Sequence, residues 1–312
     1  MDTKKISGES LAKGCLFYLC VAFIFSLSAF GDSENGPLYA VAKMPTPILN
    51  TPDILSVFGG EDGKTLNLDS SGLLREVESV ALPGTVFKIK EVICKPGLEV
   101  YKVSSDEYPY PEKKGYFIDK RFVTTSDIKP VDRVRTLPPK DVIIRNLISH
   151  VGSEYVWGGD WKDGIPEMLL FYPPKGSIDP VVKRKWTLTG VDCSGLLYES
   201  TGGCTPRNTT ALLTFGKPVG IKGLKTPEDI IGKVEPLDLI VWKGHVIIIL
   251  DRERTIESRL DYDRNTPGNQ GGVRIRALKD VLEEIMSEKC PVNDYWDDAG
   301  IGEKPFVIRR WY

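Results

Sequence analysis

At 312 residues the chain is long enough for two domains of ordinary size. Its apolar content of 41%, charged content of 27% and net charge of −2 are those of a soluble globular protein. They exclude the basic field through which proteins hold nucleic acid, and no Lys/Arg run with interleaved aromatics supplies one locally.

The first thirty residues differ from the rest. Lys4, Lys5 and Lys13 precede an apolar run from Cys15 to Phe30, and Ala29-Phe30-Gly31 follows as a small-x-small cleavage site. That order is a secretory signal over residues 1–31. The run is shorter than the roughly 20 residues of a membrane span; left uncleaved, it would act as an N-terminal membrane anchor. Loss of the signal removes Cys15 and Cys20 and leaves Cys94, Cys193, Cys204 and Cys290. Four cysteines in so long a chain do not make a disulfide scaffold. Cys94, Cys204 and Cys290 read as small buried apolar residues, with at most one pair among them if Cys193 is a free thiol.

Residues 37–128 read as β-structure. Short segments such as Thr85–Val92 and Leu98–Val103 are separated by Pro83-Gly84 and Pro96-Gly97, which suit tight turns. Residues 59–72 and 106–115 read as long loops. Several short strands without helical periodicity predict a small β-barrel. The segments Leu82-Pro83-Gly84-Thr85-Val86-Phe87-Lys88-Ile89 and Lys114 to Val123 resemble a bacterial SH3-like domain. Tyr108, Tyr110 and Tyr116 are candidates either for ligand binding or for capping its small core.

Residues 129–138 form a proline-containing linker. Ile143, Ile144, Leu147, Ile148 and Val151 recur at helical spacing, so the pattern predicts a helix from about 139 to 151, stopped by Gly152. His150 falls in its last turn, where a partly charged imidazole suits the helix dipole. Tyr155-Val156-Trp157-Gly158-Gly159 follows, and then residues 160–190, whose prolines and glycines predict an irregular insertion. Strands are expected from Leu239, over 245–250 and over 255–260, a helix over 278–289 and a closing strand near 306–312.

The chemistry centres on Asp192-Cys193-Ser194-Gly195-Leu196. Asp192 is a good N-cap for a helix whose first turn holds Cys193. There the dipole and free N–H groups favour a thiolate, below the free value of roughly 8.5, and can stabilise an oxyanion. Ser194 and Gly195 are small and leave space for substrate. The chain has two histidines, and His245 opens the apolar run Val246 to Leu250 at the end of a core strand. Glu257 lies twelve residues further on. A three-residue turn puts both on one face as diagonal neighbours; a four-residue turn puts Ser258 there instead.

The order YxWGG, DCSGL, PR, PxDLI, GHV and a polar residue twelve positions later resembles the NlpC/P60 cysteine peptidases over about residues 139–260. The resemblance implies an α+β fold: a papain-like catalytic domain over 139–312, a helix packed on an antiparallel sheet, preceded by the SH3-like barrel. It implies an exported, cell-envelope enzyme that hydrolyses the γ-D-glutamyl-diamino acid bond of peptidoglycan stem peptides or muropeptides, without metal or other cofactor. By position, Cys193 matches the nucleophile, His245 the base, Glu257 the third polar residue and Tyr155 an oxyanion helper. Asp192 and Ser194 match residues that hold a terminal amine, and Arg207 and Asn208 a loop lining the site. Three departures stand out: Glu in the third position, the long 160–190 gap, and Asn208 where an acidic residue is common. Two other readings compete: a non-catalytic wall-binding protein on a decayed peptidase scaffold, and an amidase at the muramoyl-L-alanine bond or an acyltransferase with the same chemistry.

Overall fold

The computed structural model describes residues 36–260, 271–296, 302 and 304–312. The export signal read over 1–31, with Cys15 and Cys20, lies outside them. Gly36–Tyr312 forms one compact unit, a mixed α+β structure built on two large sheets. Among the described residues no helix is long and apolar enough to cross a membrane.

In the first half the elements are β1 (Tyr39–Ala42), β2 (Thr46–Leu49), α1 (Ile54–Val57), β3 (Phe58–Gly59), β4 (Thr65–Leu66), β5 (Val77–Ala81), β6 (Val86–Lys95), β7 (Leu98–Ser104), β8 (Tyr116–Asp119) and β9 (Val123–Ser126). Seven of the strands pair antiparallel in the order β5-β2-β8-β7-β6-β1-β9. Pro96-Gly97 connects β6 to β7, and Gly97 takes a φ of +72°, which glycine adopts without strain. Residues 59–72 are more ordered than a long loop: β3 and β4 pair across a turn that Asp62 closes by accepting from the N–H groups of Lys64 and Thr65. Tyr108 and Tyr116 are core residues rather than exposed rings, and pack edge-to-face.

The second half contains α2 (Lys140–Ser149), β10 (Asp160–Trp161), α3 (Glu167–Phe171), α4 (Pro180–Trp186), β11 (Gly190–Val191), α5 (Cys193–Ser200), α6 (Thr209–Leu212), β12 (Lys217–Pro218) and α7 (Pro227–Ile231). It continues with β13 (Leu239–Trp242), β14 (His245–Ile249), β15 (Arg254–Arg259), β16 (Gly272–Ala277), α8 (Leu278–Glu288), β17 (Cys290–Pro291) and β18 (Pro305–Arg310). The main sheet runs β12-β18-β13-β14-β15-β16, all antiparallel, with β17 alongside β18. Its centre is buried on both faces, which is why Val246 to Leu250 is continuously apolar. Val246 and Ile248 meet Leu196 and Leu197 of α5 and Ile143 and Leu147 of α2. Ile247 and Ile249 meet Val281, Leu282 and Ile285 of α8.

Residues 160–190 are not the irregular insertion that their prolines suggest. They fold into α3 and α4, and Ile165, Met168, Tyr172, Trp186 and Leu188 complete the core of the N-terminal sheet. Pro180 begins α4 at a position where its missing N–H is not needed, and Asp179 caps that helix. The cysteine expectation fails in part as well. Cys193 is buried, but Cys94 is exposed and Cys204 and Cys290 are half-buried.

Candidate active site

The Asp192 side chain begins α5 by accepting from the N–H groups of Ser194 and Gly195, at 3.1 and 2.8 Å. This places Cys193, buried at 5% exposure, in the first helical turn. Gly202 and Gly203, both at positive φ, end the helix. Gly195 does not open room for substrate. A Cβ there would lie 1.9 Å from the Gly159 carbonyl oxygen, so its missing side chain lets α5 touch the Tyr155–Gly159 segment.

His245 follows the two-residue turn Lys243-Gly244 and lies opposite Trp242, whose ring it meets at 5.0 Å. Leu250 pairs with Arg254, so the next turn has three residues, 251–253. That register sets Glu257 on the face of His245, and the His245 Nε2 to Glu257 Oε2 distance is 2.8 Å. Burial would lower the His245 pKa, but hydrogen bonds to Cys193 and Glu257 outweigh it and push the imidazole up to about 9. Glu257 is fully buried; burial would raise its pKa, but hydrogen bonds from His245 and Arg276 hold it below the usual carboxylate range.

Tyr155 bridges to Val191, two residues before the sulfur. Burial, with Asp192 and Cys193 nearby, pushes its hydroxyl pKa well up, which keeps it a proton donor. It also lines a small cleft with Leu68, Gly72, Leu73 and Leu74 of the N-terminal half, Val156, Trp157 and Lys185.

The remaining residues singled out in the sequence fall into a buried polar cluster. Arg207 is 4% exposed. It donates to Ser194 Oγ and Asp192 Oδ2, each at 2.7 Å, and its Nε faces Asp160 Oδ1. Asp160 is fully buried and also accepts from Ser79 Oγ and the Val80 N–H of the N-terminal sheet. Burial pushes its carboxyl up, against the pull of Arg207. Tyr110 is part of this junction, its hydroxyl accepting from the Arg207 and Asn208 N–H groups. The Asn208 side chain caps α6. His150 packs α2 on α5, with Nδ1 2.7 Å from the Asn146 carbonyl and Nε2 3.0 Å from Glu199, and its ring is buried rather than set in an exposed dipole field.

Sequence reasoning missed Asp160 and Arg276. Asp160 directly follows the Gly158-Gly159 pair. The Arg274-Ile275-Arg276 alternation marks a strand, and pairing that strand with β15 would have found Arg276. Among the described residues no group of three His, Cys, Asp or Glu side chains is placed to hold a metal.

No protein-family model matches the chain, and no curated protein matches it. Among solved structures it is similar to an NlpC/P60 family protein from Bacillus cereus ATCC 10987, at 17% identity and a TM-score of 0.31. The match covers 88% of this chain and 63% of that one, so the chain spans less than two thirds of its neighbour. A superposition that loose transfers neither a site nor an activity.

Proposed function

We propose that this chain is a cysteine endopeptidase of peptidoglycan stem peptides, cleaving the bond between the γ-carboxyl of D-glutamate and a diamino acid. The observation that carries the reading is the relay from Cys193, in the first turn of α5, through His245 to the buried carboxylate of Glu257. A thiol beside an imidazole that is itself held by an acid is the arrangement of an activated nucleophile.

The reaction is acyl transfer. The Cys193 thiolate attacks the γ-glutamyl carbonyl and forms a tetrahedral oxyanion. Asp192 already engages the Ser194 and Gly195 N–H groups, so the oxyanion falls to the Cys193 N–H and the Tyr155 hydroxyl. The His245 imidazolium gives its proton to the departing amine as the C–N bond breaks, leaving a thioester. Neutral His245 then takes a proton from water, the hydroxide attacks the thioester, and the thiolate leaves with the imidazolium restored. Glu257 orients the ring throughout.

In the same reading, residues 37–128 are an SH3-like domain that walls the cleft beside Tyr155 and limits substrates to short or uncrosslinked stem peptides. Asp192 and Ser194 serve its amine-binding end, Arg207 and Asn208 belong to a loop lining the site, and residues 1–31 direct export to the cell envelope. The test is digestion of L-Ala-γ-D-Glu-diaminopimelate by purified protein with a Cys193→Ala control, read by mass spectrometry. Wild type should release diaminopimelate and the control should not. Equal release by the two would end the mechanism, and products cut at a muramoyl-L-alanine bond would reassign it as an amidase. No turnover, with Cys193 inert to iodoacetamide near about pH 6, would favour a binding protein.

A further inference from the structure

We propose that Arg276 is a positioning residue of this site, pinning Glu257 in the orientation from which its carboxylate grips His245. The inference rests on the peptidase reading only for its catalytic consequence; its geometry stands alone. Glu257 is held at both oxygens. Oε2 accepts from His245 at 2.8 Å and Oε1 from Arg276 Nη1 at 3.2 Å. Arg276 is anchored in turn, its Nη2 donating to Glu284 Oε2 at 2.5 Å, and Arg259 donates to the other Glu284 oxygen at 2.6 Å. Glu257 pairs with Arg274, and Thr255 with Arg276. In an antiparallel ladder Arg274 and Arg276 therefore share the face of Glu257 and His245, and α8 supplies Glu284 from above.

The arrangement answers a physical requirement. A carboxylate without exposure that is bonded at one oxygen only can rotate away from the imidazole and leaves the other oxygen unsatisfied. A guanidinium fork spans two carboxylates at fixed geometry and prevents this, which an ammonium does less well. The charged and titratable groups around the pair come from every packed element. They are Cys193 of α5, His245 of β14, Glu257 and Arg259 of β15, Arg274 and Arg276 of β16, and Glu284 of α8; Lys289 lies over the ring of Trp242.

Positioning and bulk charge make opposite claims. By Coulomb's law alone, removing the Arg276 cation raises the His245 midpoint. If Arg276 acts by holding Glu257, its loss lets the carboxylate swing toward Arg274, weakens the bond to His245 and lowers that midpoint. The chain has two histidines, so ring-labelled protein gives two imidazole signals in an NMR titration, assigned with a His150 variant. Wild-type His245 should titrate at about 9. Arg276→Met should bring it down by about one pH unit, one of its two stabilising bonds being loosened, with the His150 signal unmoved as a check on the fold. Arg276→Lys, which keeps the cation but loses the guanidinium fork, should shift it the same way by less, whereas bulk charge alone predicts no shift, and it carries the test if Arg276→Met does not fold. An unchanged or raised midpoint overturns the proposal. If the peptidase reading holds, kcat should also fall by about 10- to 100-fold with KM little changed. Inactive wild-type protein with this titration pattern would defeat the proposed function and leave the positioning role standing.

Discussion

Arg207→Met tests whether the buried cluster beneath α5 is held by charge pairing. Methionine keeps most of the side-chain length and volume but removes the cation that lies between Asp160, at 0% exposure, and Asp192, at 7%. Two buried carboxylates then face one another. Breaking a buried pair in this way costs about 3–5 kcal/mol. The Ser79 and Val80 bonds to Asp160 remain, which sets the expectation near the lower end, about 3 kcal/mol. The sign with pH follows from Asp160. Burial pushes its carboxyl up and Arg207 pulls it down, so without Arg207 it rises further. A carboxyl with a raised folded value does not oppose folding below its unfolded value of about 3.9, and opposes it increasingly above. The deficit of the variant should therefore be larger at alkaline than at acid pH. The assay is urea unfolding of wild type and variant at about pH 5.5 and 8, analysed by linear extrapolation. Asp160→Asn in the Arg207→Met background should recover part of the loss, with a coupling energy above about 1 kcal/mol. A loss under about 1 kcal/mol at both pH values, or one that grows on acidification, would refute the pairing argument.

Two further outcomes are expected. Tyr155→Phe should lower kcat on the stem tripeptide by about 10- to 100-fold with KM nearly unchanged, because it removes one oxyanion donor; unaltered kcat would leave the backbone N–H as sole donor. Trp186→Ala should cost about 3–5 kcal/mol in urea unfolding through the cavity it leaves, whereas a loss near zero would make residues 160–190 a detachable insertion rather than core.

Long periodic elements were legible in the sequence and short ones were not. Ile143, Leu147 and their neighbours announce α2 because a helix of three turns repeats its apolar stripe, and Val281, Leu282 and Ile285 do so for α8. The α5 start was readable from Asp192, since capping is local chemistry. Helices α3 and α4 span five and seven residues, too short for a period to emerge, and their prolines read as breakers although Pro180 starts a helix. Pairing was legible only conditionally. Both readings of Glu257 were open until the turn at 251–253 fixed the register. Arg276 stayed hidden because its significance depends on which strand lies beside β15. Gly195 was visible as a small residue, but what occupies the space it leaves, the Gly159 carbonyl, is a tertiary fact.

Where the chain divides in sequence, its cores and charges do not divide in the same way. Met168, Trp186 and Leu188 follow the linker, yet they pack with Phe87, Tyr101 and Phe122 of the N-terminal sheet. The polar junction repeats this one layer away: Ser79 and Val80 hold Asp160, Asp160 faces Arg207, and Arg207 holds Asp192. Asp192 is also the residue that starts the helix bearing Cys193. A single carboxylate thus satisfies the first N–H groups of α5 with one oxygen and closes an ion-pair chain to the N-terminal sheet with the other. Displacement of that sheet would loosen the cap before it reached the sulfur, so the placement of Cys193 depends on residues more than a hundred positions upstream.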